Sequence, residues 1–220
     1  MGMKFFDRRQ AGQALAQQLA HVVEESESGI VLALPRGGVP IGYEIICTLN
    51  WPLDVWLVRK LGVPDQPELA MGALAWPHAQ VLNKGLIEKL QVSERDIEAV
   101  VQTELQELHR RHHCYRQEKP LPVLCGKPII VVDDGLATGA TMQAAIAALK
   151  PYQPSSITVA VPIAASSSLK PIEEQVDRVI CPLLPKSMGS ISQWYDHFEP
   201  VDDTEVVTLL EQAEALQNKP

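Results

Sequence analysis

A chain of 220 residues, 46% of them hydrophobic, can bury one sizeable core, which suits a single domain or a domain with a small appendage. Its formal net charge of −8 argues against a general nucleic-acid binder, which needs a basic face, so any phosphate site must be assembled locally. No apolar run approaches the ~20 residues that a membrane-crossing helix requires, and the four cysteines (Cys47, Cys114, Cys125, Cys181) form no C-x-x-C pair, which argues against zinc or disulfide frameworks.

The opening MGMKFFDRRQ has no apolar signal core, and Phe6 stands where a myristoylation motif wants Ser or Thr. With reduced thiols as the simplest reading, a soluble, cytoplasmic protein is expected. Asp7 to Glu25 read as an amphipathic helix, with Ala11, Leu15, Leu19, Val22 and Val23 at helical spacing. "GIVLALP" (29–35) is the first buried strand, ended by Pro35 and a glycine pair, and it is followed by a helix at 39–49 and a strand, "LDVWLV", at 53–58. From Arg59 to Pro128 the rhythm breaks. A Gly/Pro-rich loop at 62–72 leads to a short segment around 73–83 and then to a long polar helix at 94–117, with Ser93 and Asp96 as a capping box. Strand 128–133, helix 139–150, strand 156–161, a short helix at 168–174 and strand 176–181 follow, and the tail ends in a helix at 203–217.

This alternation predicts an α/β fold, a mostly parallel twisted sheet of about five strands flanked by helices. The expected layout is one domain over 1–220, with a core at about 29–181, an excursion at about 60–127 and a small C-terminal hood element at about 186–220.

The stretch "IIVVDDGLATGATM" (129–142) carries the chemistry. A buried strand ending in Asp133-Asp134, then a small-residue loop and a helix, gathers free backbone N–H groups and the positive end of a helix dipole at one spot. The threonine hydroxyls add donors, and Gly139 lets the backbone approach a phosphate. Two carboxylates beside a phosphate would address ribose hydroxyls or a metal; alternatively they only cap a helix after a strand. No G-x-x-x-x-G-K-[ST] occurs, and residues 135–139 lack G-x-G-x-x-G spacing.

"VVDDGLATGAT" resembles the 5-phosphoribosyl-1-diphosphate (PRPP) motif of the type I phosphoribosyltransferases. "LPRGG" (34–38) resembles that family's diphosphate loop, and "VRKLG" (58–62) its Arg-Lys pair at the root of a mobile catalytic loop, as found in the adenine and orotate branches. The whole chain is similar to a branch labelled "predicted phosphoribosyltransferase". The resemblance implies that Asp133 and Asp134 hold the ribose hydroxyls and that Ala137, Thr138, Gly139, Ala140 and Thr141 cradle the 5-phosphate. Arg36 and Gly37 would bind diphosphate, in a loop that in this family often holds a non-proline cis peptide. Arg59 and Lys60, with Arg36, would stabilise the leaving diphosphate, although taken alone they read as a solvated pair at a strand end. Asp133, Asp134, Arg36 and Lys60 are the candidate catalytic residues. Mg²⁺ is the implied cofactor, carried by PRPP and water, so no all-protein metal cage is expected.

Ala137 stands where the 6-oxopurine branch usually has an aspartate, which argues against that chemistry. "SISQWYDHF" (190–198) is the candidate acceptor site, with Trp194 and Tyr195 as stacking surfaces and Asp196 as an acceptor; a small satellite core explains the cluster equally well. "LHRRHHCYR" (108–116) is the one basic cluster; it could steer PRPP, RNA or an acidic partner, but a solvated helix face or a contact between subunits is the favoured reading. The expected activity is transfer of phosphoribosyl from PRPP to a purine, pyrimidine or related nitrogenous acceptor. The alternative is a non-catalytic PRPP or nucleotide sensor; a diphosphokinase-like or hydrolytic use has no additional site. A homodimer is an expectation from the family.

Overall fold

The computed structural model describes residues 4–23, 28–76, 79–117, 119–185 and 188–218. Five parallel strands form the main sheet: β1 (Ile30–Ala33), β2 (Leu53–Val55), β6 (Pro128–Val132), β7 (Ser156–Ala160) and β8 (Arg178–Ile180), in the order β2-β1-β6-β7-β8. Runs such as IVLA and IIVV have no polar face because helices cover both sides. Val31, Ala33, Ile130 and Val132 point into one core, with α1 (Arg8–Ala20), α2 (Gly38–Leu49) and α7 (Asp203–Gln217). Ile30, Leu32, Ile129 and Val131 point into the other, with α5 (Ala140–Leu149) and α6 (Ser166–Glu173). The expected α/β class and strand count are therefore what the chain adopts. Among the described residues no helix is long and apolar enough to cross a membrane.

Several predicted bounds move. Helix α1 ends at Ala20, short of the predicted end, and Glu24 and Glu25 lie outside the described residues. The strand predicted at 53–58 divides: β2 stops at Val55, and Val58 opens β3 (Val58–Val63) in a second sheet. Trp56 is the joint, 1% exposed, its backbone N–H donating to Ala33 O and its indole N–H to Ala145 O at 3.2 Å.

The loop predicted at 62–72 is a correction. β3 (Val58–Val63) and β4 (Gln66–Ala75) form an antiparallel hairpin, joined by β5 (Ala79–Leu82). Register shifts beside Gly62 break the two-residue alternation that would have betrayed a strand. Pro64 and Asp65 supply the turn, while Leu61, Val63, Met71 and Ala73 are buried. A short helix α3 (Lys84–Leu90), capped by Asn83, was missed as well. The long helix α4 (Glu94–Arg116) begins as predicted, with Ser93 Oγ accepting from Asp96 N.

The tail is stitched to the amino-terminal segment. Phe5 N donates to Trp194 O and Asp196 N to Phe5 O, at 3.0 and 2.9 Å. Helix α7 keeps its predicted span because Asp202 caps it, accepting from Glu205 N at 2.8 Å.

Candidate active site

Parallel pairing of β1 with β6 brings the loops after these strands side by side at the sheet's carboxyl edge, where open α/β sheets bind ligands. After β1, the Pro35-Arg36 peptide is cis, and the chain turns at once into α2. After β6, Asp133 and Asp134 lead into the loop that opens α5. Gly139, at φ 73°, takes the left-handed conformation that lets α5 begin there. The loop is fixed from behind: Leu136 N donates to Ile163 O at 2.9 Å, and Ser168 Oγ to Ala137 O at 2.5 Å. The first turn of α5 leaves its amides without intrahelical acceptors, which makes it an anion-accepting end.

Two cavities meet here. A cleft of about 900 Å³ is walled by Arg36, Arg59, Lys60, Arg111, Asp133 and Thr141, among others. A smaller one of about 170 Å³ is lined by the whole loop from Asp133 to Met142 and by Ile191. Asp133 and Thr141 belong to both.

The two acids are not equivalent. Asp134 Oδ2 accepts from Arg8 Nε at 2.9 Å, with both side chains only 12–13% exposed. Its carbonyl accepts from the Tyr195 hydroxyl at 2.7 Å. Asp133 accepts from Asp134 N at 2.9 Å and faces the cavities. Burial pushes both carboxyls above the usual range; for Asp133 the nearby Asp134 charge adds to the rise, whereas Arg8 restrains Asp134.

Gly37 is a matter of space. Its φ of −61° suits any residue, but a Cβ there would lie 2.0 Å from Asp134 Oδ2. Gly37→Ala is therefore expected to displace the acid pair and destabilise the protein by about 1–3 kcal/mol, as overpacking does. A melting curve checks the loss.

The cations come from separate elements. Arg59 Nε bonds Glu104 Oε2 of α4 at 2.5 Å, so the β3–β4 hairpin is tied to that helix. Arg36 is 45% exposed and 3.9 Å from Asp203 Oδ1. Asp203 also accepts from the Tyr115 hydroxyl and from Arg110, and these bonds hold its carboxyl below the usual range.

The structure thus brings Arg36, Arg59, Lys60, Asp133 and Thr141 together, and Gly37 with Asp134 just behind. It does not bring Trp194, Tyr195 and Asp196 to either cavity. Tyr195 is 4% exposed and packs with Phe5 and Phe198, as a small satellite core does. Asp196 is exposed on the surface. Tyr195→Phe is expected to remove about 0.5–1.5 kcal/mol of stability with the lost hydrogen bond, as melting would register.

The basic stretch 108–116 also needs correction. Arg116 is 3% exposed and pairs with Asp54, and Arg111 lines the cleft, so only part of this stretch, with His109, Arg110 and His113 exposed, is a solvated face. Sequence reasoning missed Arg8 altogether, since 126 positions separate it from Asp134. Among the described residues no cluster of three or more His, Cys, Asp or Glu side chains is placed to hold a metal ion.

The fold and the cleft define an open parallel α/β domain with its ligand loops at the strands' carboxyl ends. The chain belongs to the phosphoribosyl transferase domain family, whose model matches residues 5–195. It is 39% identical over 212 residues to a Mycobacterium tuberculosis (strain H37Rv) protein provisionally named a phosphoribosyl transferase; the match covers 96% of this chain and 47% of the relative. A second strain, CDC 1551, gives the same figures. The chain thus spans about half the length of the curated relatives it matches. The crystal structure of TT1426 from Thermus thermophilus is similar at a TM-score of 0.86 and 33% identity, covering 96% of this chain and 99% of that one. The AQ2163 protein from Aquifex aeolicus, at a TM-score of 0.51 and 16% identity over 83% and 77% of the two chains, shares the fold alone.

Proposed function

We propose that the protein transfers 5-phosphoribosyl from PRPP to a nitrogenous acceptor, a purine or pyrimidine base or a related compound, and releases diphosphate. The observation that carries this reading is one cleft in which Arg36, Arg59 and Lys60 face Asp133 and the start of α5. A ligand with a phosphate, sugar hydroxyls and a diphosphate needs that order of partners.

In this reading the 5-phosphate takes the amides and hydroxyls of Ala137, Thr138, Gly139, Ala140 and Thr141. Asp133 accepts from the ribose hydroxyls, and Asp134, held by Arg8, keeps Asp133 and the loop in place. Arg36, the backbone at Gly37, and Arg59 with Lys60 receive the diphosphate. As the C1–O bond breaks, its electron pair leaves with diphosphate, and the acceptor nitrogen attacks C1 from the opposite face and gives up its proton to water or to the departing diphosphate. Cations on one side and ionised Asp133 on the other then stabilise the charges that develop, so position and electrostatics do most of the work.

Asp133 at the cleft, with no cluster of metal-ligating side chains around it among the described residues, fits Mg²⁺, which retains waters and substrate oxygens as ligands. Bound Mg²⁺ would neutralise diphosphate charge. A cytoplasmic location, the absence of membrane and nucleic-acid partners, and a homodimer belong to the same reading.

The test is a panel of bases with PRPP and Mg²⁺, read by diphosphate release, with Asp133→Asn as control. Turnover with a base, lost in the control, supports the transferase. Saturable PRPP binding without turnover for any acceptor points to the sensor instead.

A further inference from the structure

Helix α4 carries two adjacent arginines, Arg110 and Arg111, that both donate to Glu107 and then part company. Arg110 is 51% exposed and bonds Asp203 Oδ2 of α7 at 2.8 Å, which ties two helices together. Arg111 is 17% exposed; its Nε donates to Glu107 Oε1 at 2.7 Å and its Nη1 to the carbonyl of Pro35 at 3.3 Å. That carbonyl belongs to the cis peptide preceding Arg36, and the Arg111 side chain walls the same cleft as Arg36, Arg59 and Lys60. Glu107, whose carboxyl is held down to about 2 chiefly by its bond to Arg110, is an anchor that fixes the guanidinium plane.

We propose that Arg111 is a fourth diphosphate-binding cation, one that no motif in the chain identifies. It supports the Pro35 carbonyl and also donates to diphosphate oxygens, since a guanidinium has more N–H donors than these two contacts use. The argument is one of local charge. The protein is acidic overall, at −8, and Arg59 is already engaged by Glu104 while Arg36 lies near Asp203. A ligand as anionic as diphosphate gains from a further arginine that is oriented before it arrives. This inference rests on the phosphoribosyl reading of the cleft.

The experiment is calorimetric titration of inorganic diphosphate with Mg²⁺ into the full chain, for the parent protein and for Arg111→Gln, Arg111→Lys and Arg110→Gln. Arg111→Gln is expected to bind about tenfold more weakly or worse, the usual effect of losing a charge-assisted bond, and to show a shallower dependence on salt. Arg111→Lys keeps the charge and should fall between. It also carries the test if the glutamine variant fails to fold. Arg110→Gln should lower the melting temperature and leave binding within about twofold, as expected for an exposed side chain that does not line the cleft. Equal binding by the parent and Arg111→Gln overturns the proposal, and so do equal losses in the two glutamine variants, because helix damage would then explain both. If the parent binds neither diphosphate nor PRPP, the phosphoribosyl reading itself falls, a result distinct from the first two.

Discussion

Asp133→Asn is expected to lower phosphoribosyl transfer by about a hundredfold or more, the scale of losing one preorganised electrostatic partner, while raising the melting temperature at neutral pH. The two effects have one cause. Burial and the Asp134 charge make the ionised form of Asp133 expensive in the protein without ligand, so its folded pKa lies above the ordinary 3.8. Such a group stabilises the fold fully below its unfolded pKa and withdraws that support as pH rises through the higher folded value. From about pH 4 upward the parent protein therefore loses stability through this residue. The asparagine keeps the size and the acceptor for Asp134 N but carries no charge. Its advantage in melting temperature should grow with pH across that window, at roughly 2–4 °C for each kcal/mol in a chain of this length.

Below about pH 4 other groups take over. Glu107 and Asp203 have lowered values, so their contributions exist above the ordinary carboxylate pKa and disappear as pH falls through the folded one. Melting at several pH values, with and without PRPP and Mg²⁺, separates these regimes. The ligand should close the gap between parent and variant, because sugar hydroxyls and a cation favour the ionised Asp133. An asparagine variant that is both active and no more stable than the parent would remove Asp133 from the centre of the site.

Much of this site was legible because its parts are local in sequence. "IIVVDDGLATGAT" contains a strand buried on both faces, its acids, its left-handed glycine and its helix start in one run, and "LPRGG" lies beside it once β1 and β6 pair. The bounds of α7 were readable for the same reason, since Asp202 is a cap that signals the helix directly. The hairpin was not readable: its register shifts at Gly62 erase the alternation, and Pro64, Pro67 and Gly72 imitate a loop. Arg8 and Arg111 were not readable either, because their meaning lies in partners far along the chain, Asp134 and Pro35. Trp194 and Tyr195 show the same limit from the other side. An aromatic cluster serves a stacking site and a small core equally well by composition, and only packing distinguishes them.

Arg8→Met is expected to be the most destabilising of the changes considered, at about 3–5 kcal/mol, because it leaves Asp134 as a buried charge without its cation. Arg8 holds three partners at once: Asp134 Oδ2 at 2.9 Å, Glu199 O at 2.7 Å, and the Phe198 ring, 3.8 Å from its guanidinium carbon. It thereby joins the first helix and the C-terminal segment to the acid pair. At 2–4 °C for each kcal/mol the melting temperature should fall by roughly 10 °C. The sign with pH follows from the pair. Without Arg8 the folded pKa of Asp134 rises further, so the variant's deficit should be largest at high pH and shrink as acid protonates the carboxyl. Arg8→Met combined with Asp134→Asn should be more stable than Arg8→Met alone at neutral pH, since the orphaned charge is gone. Additive losses in that double-mutant cycle would show that the two side chains are not coupled, and the role given to Arg8 in holding the acids would fail.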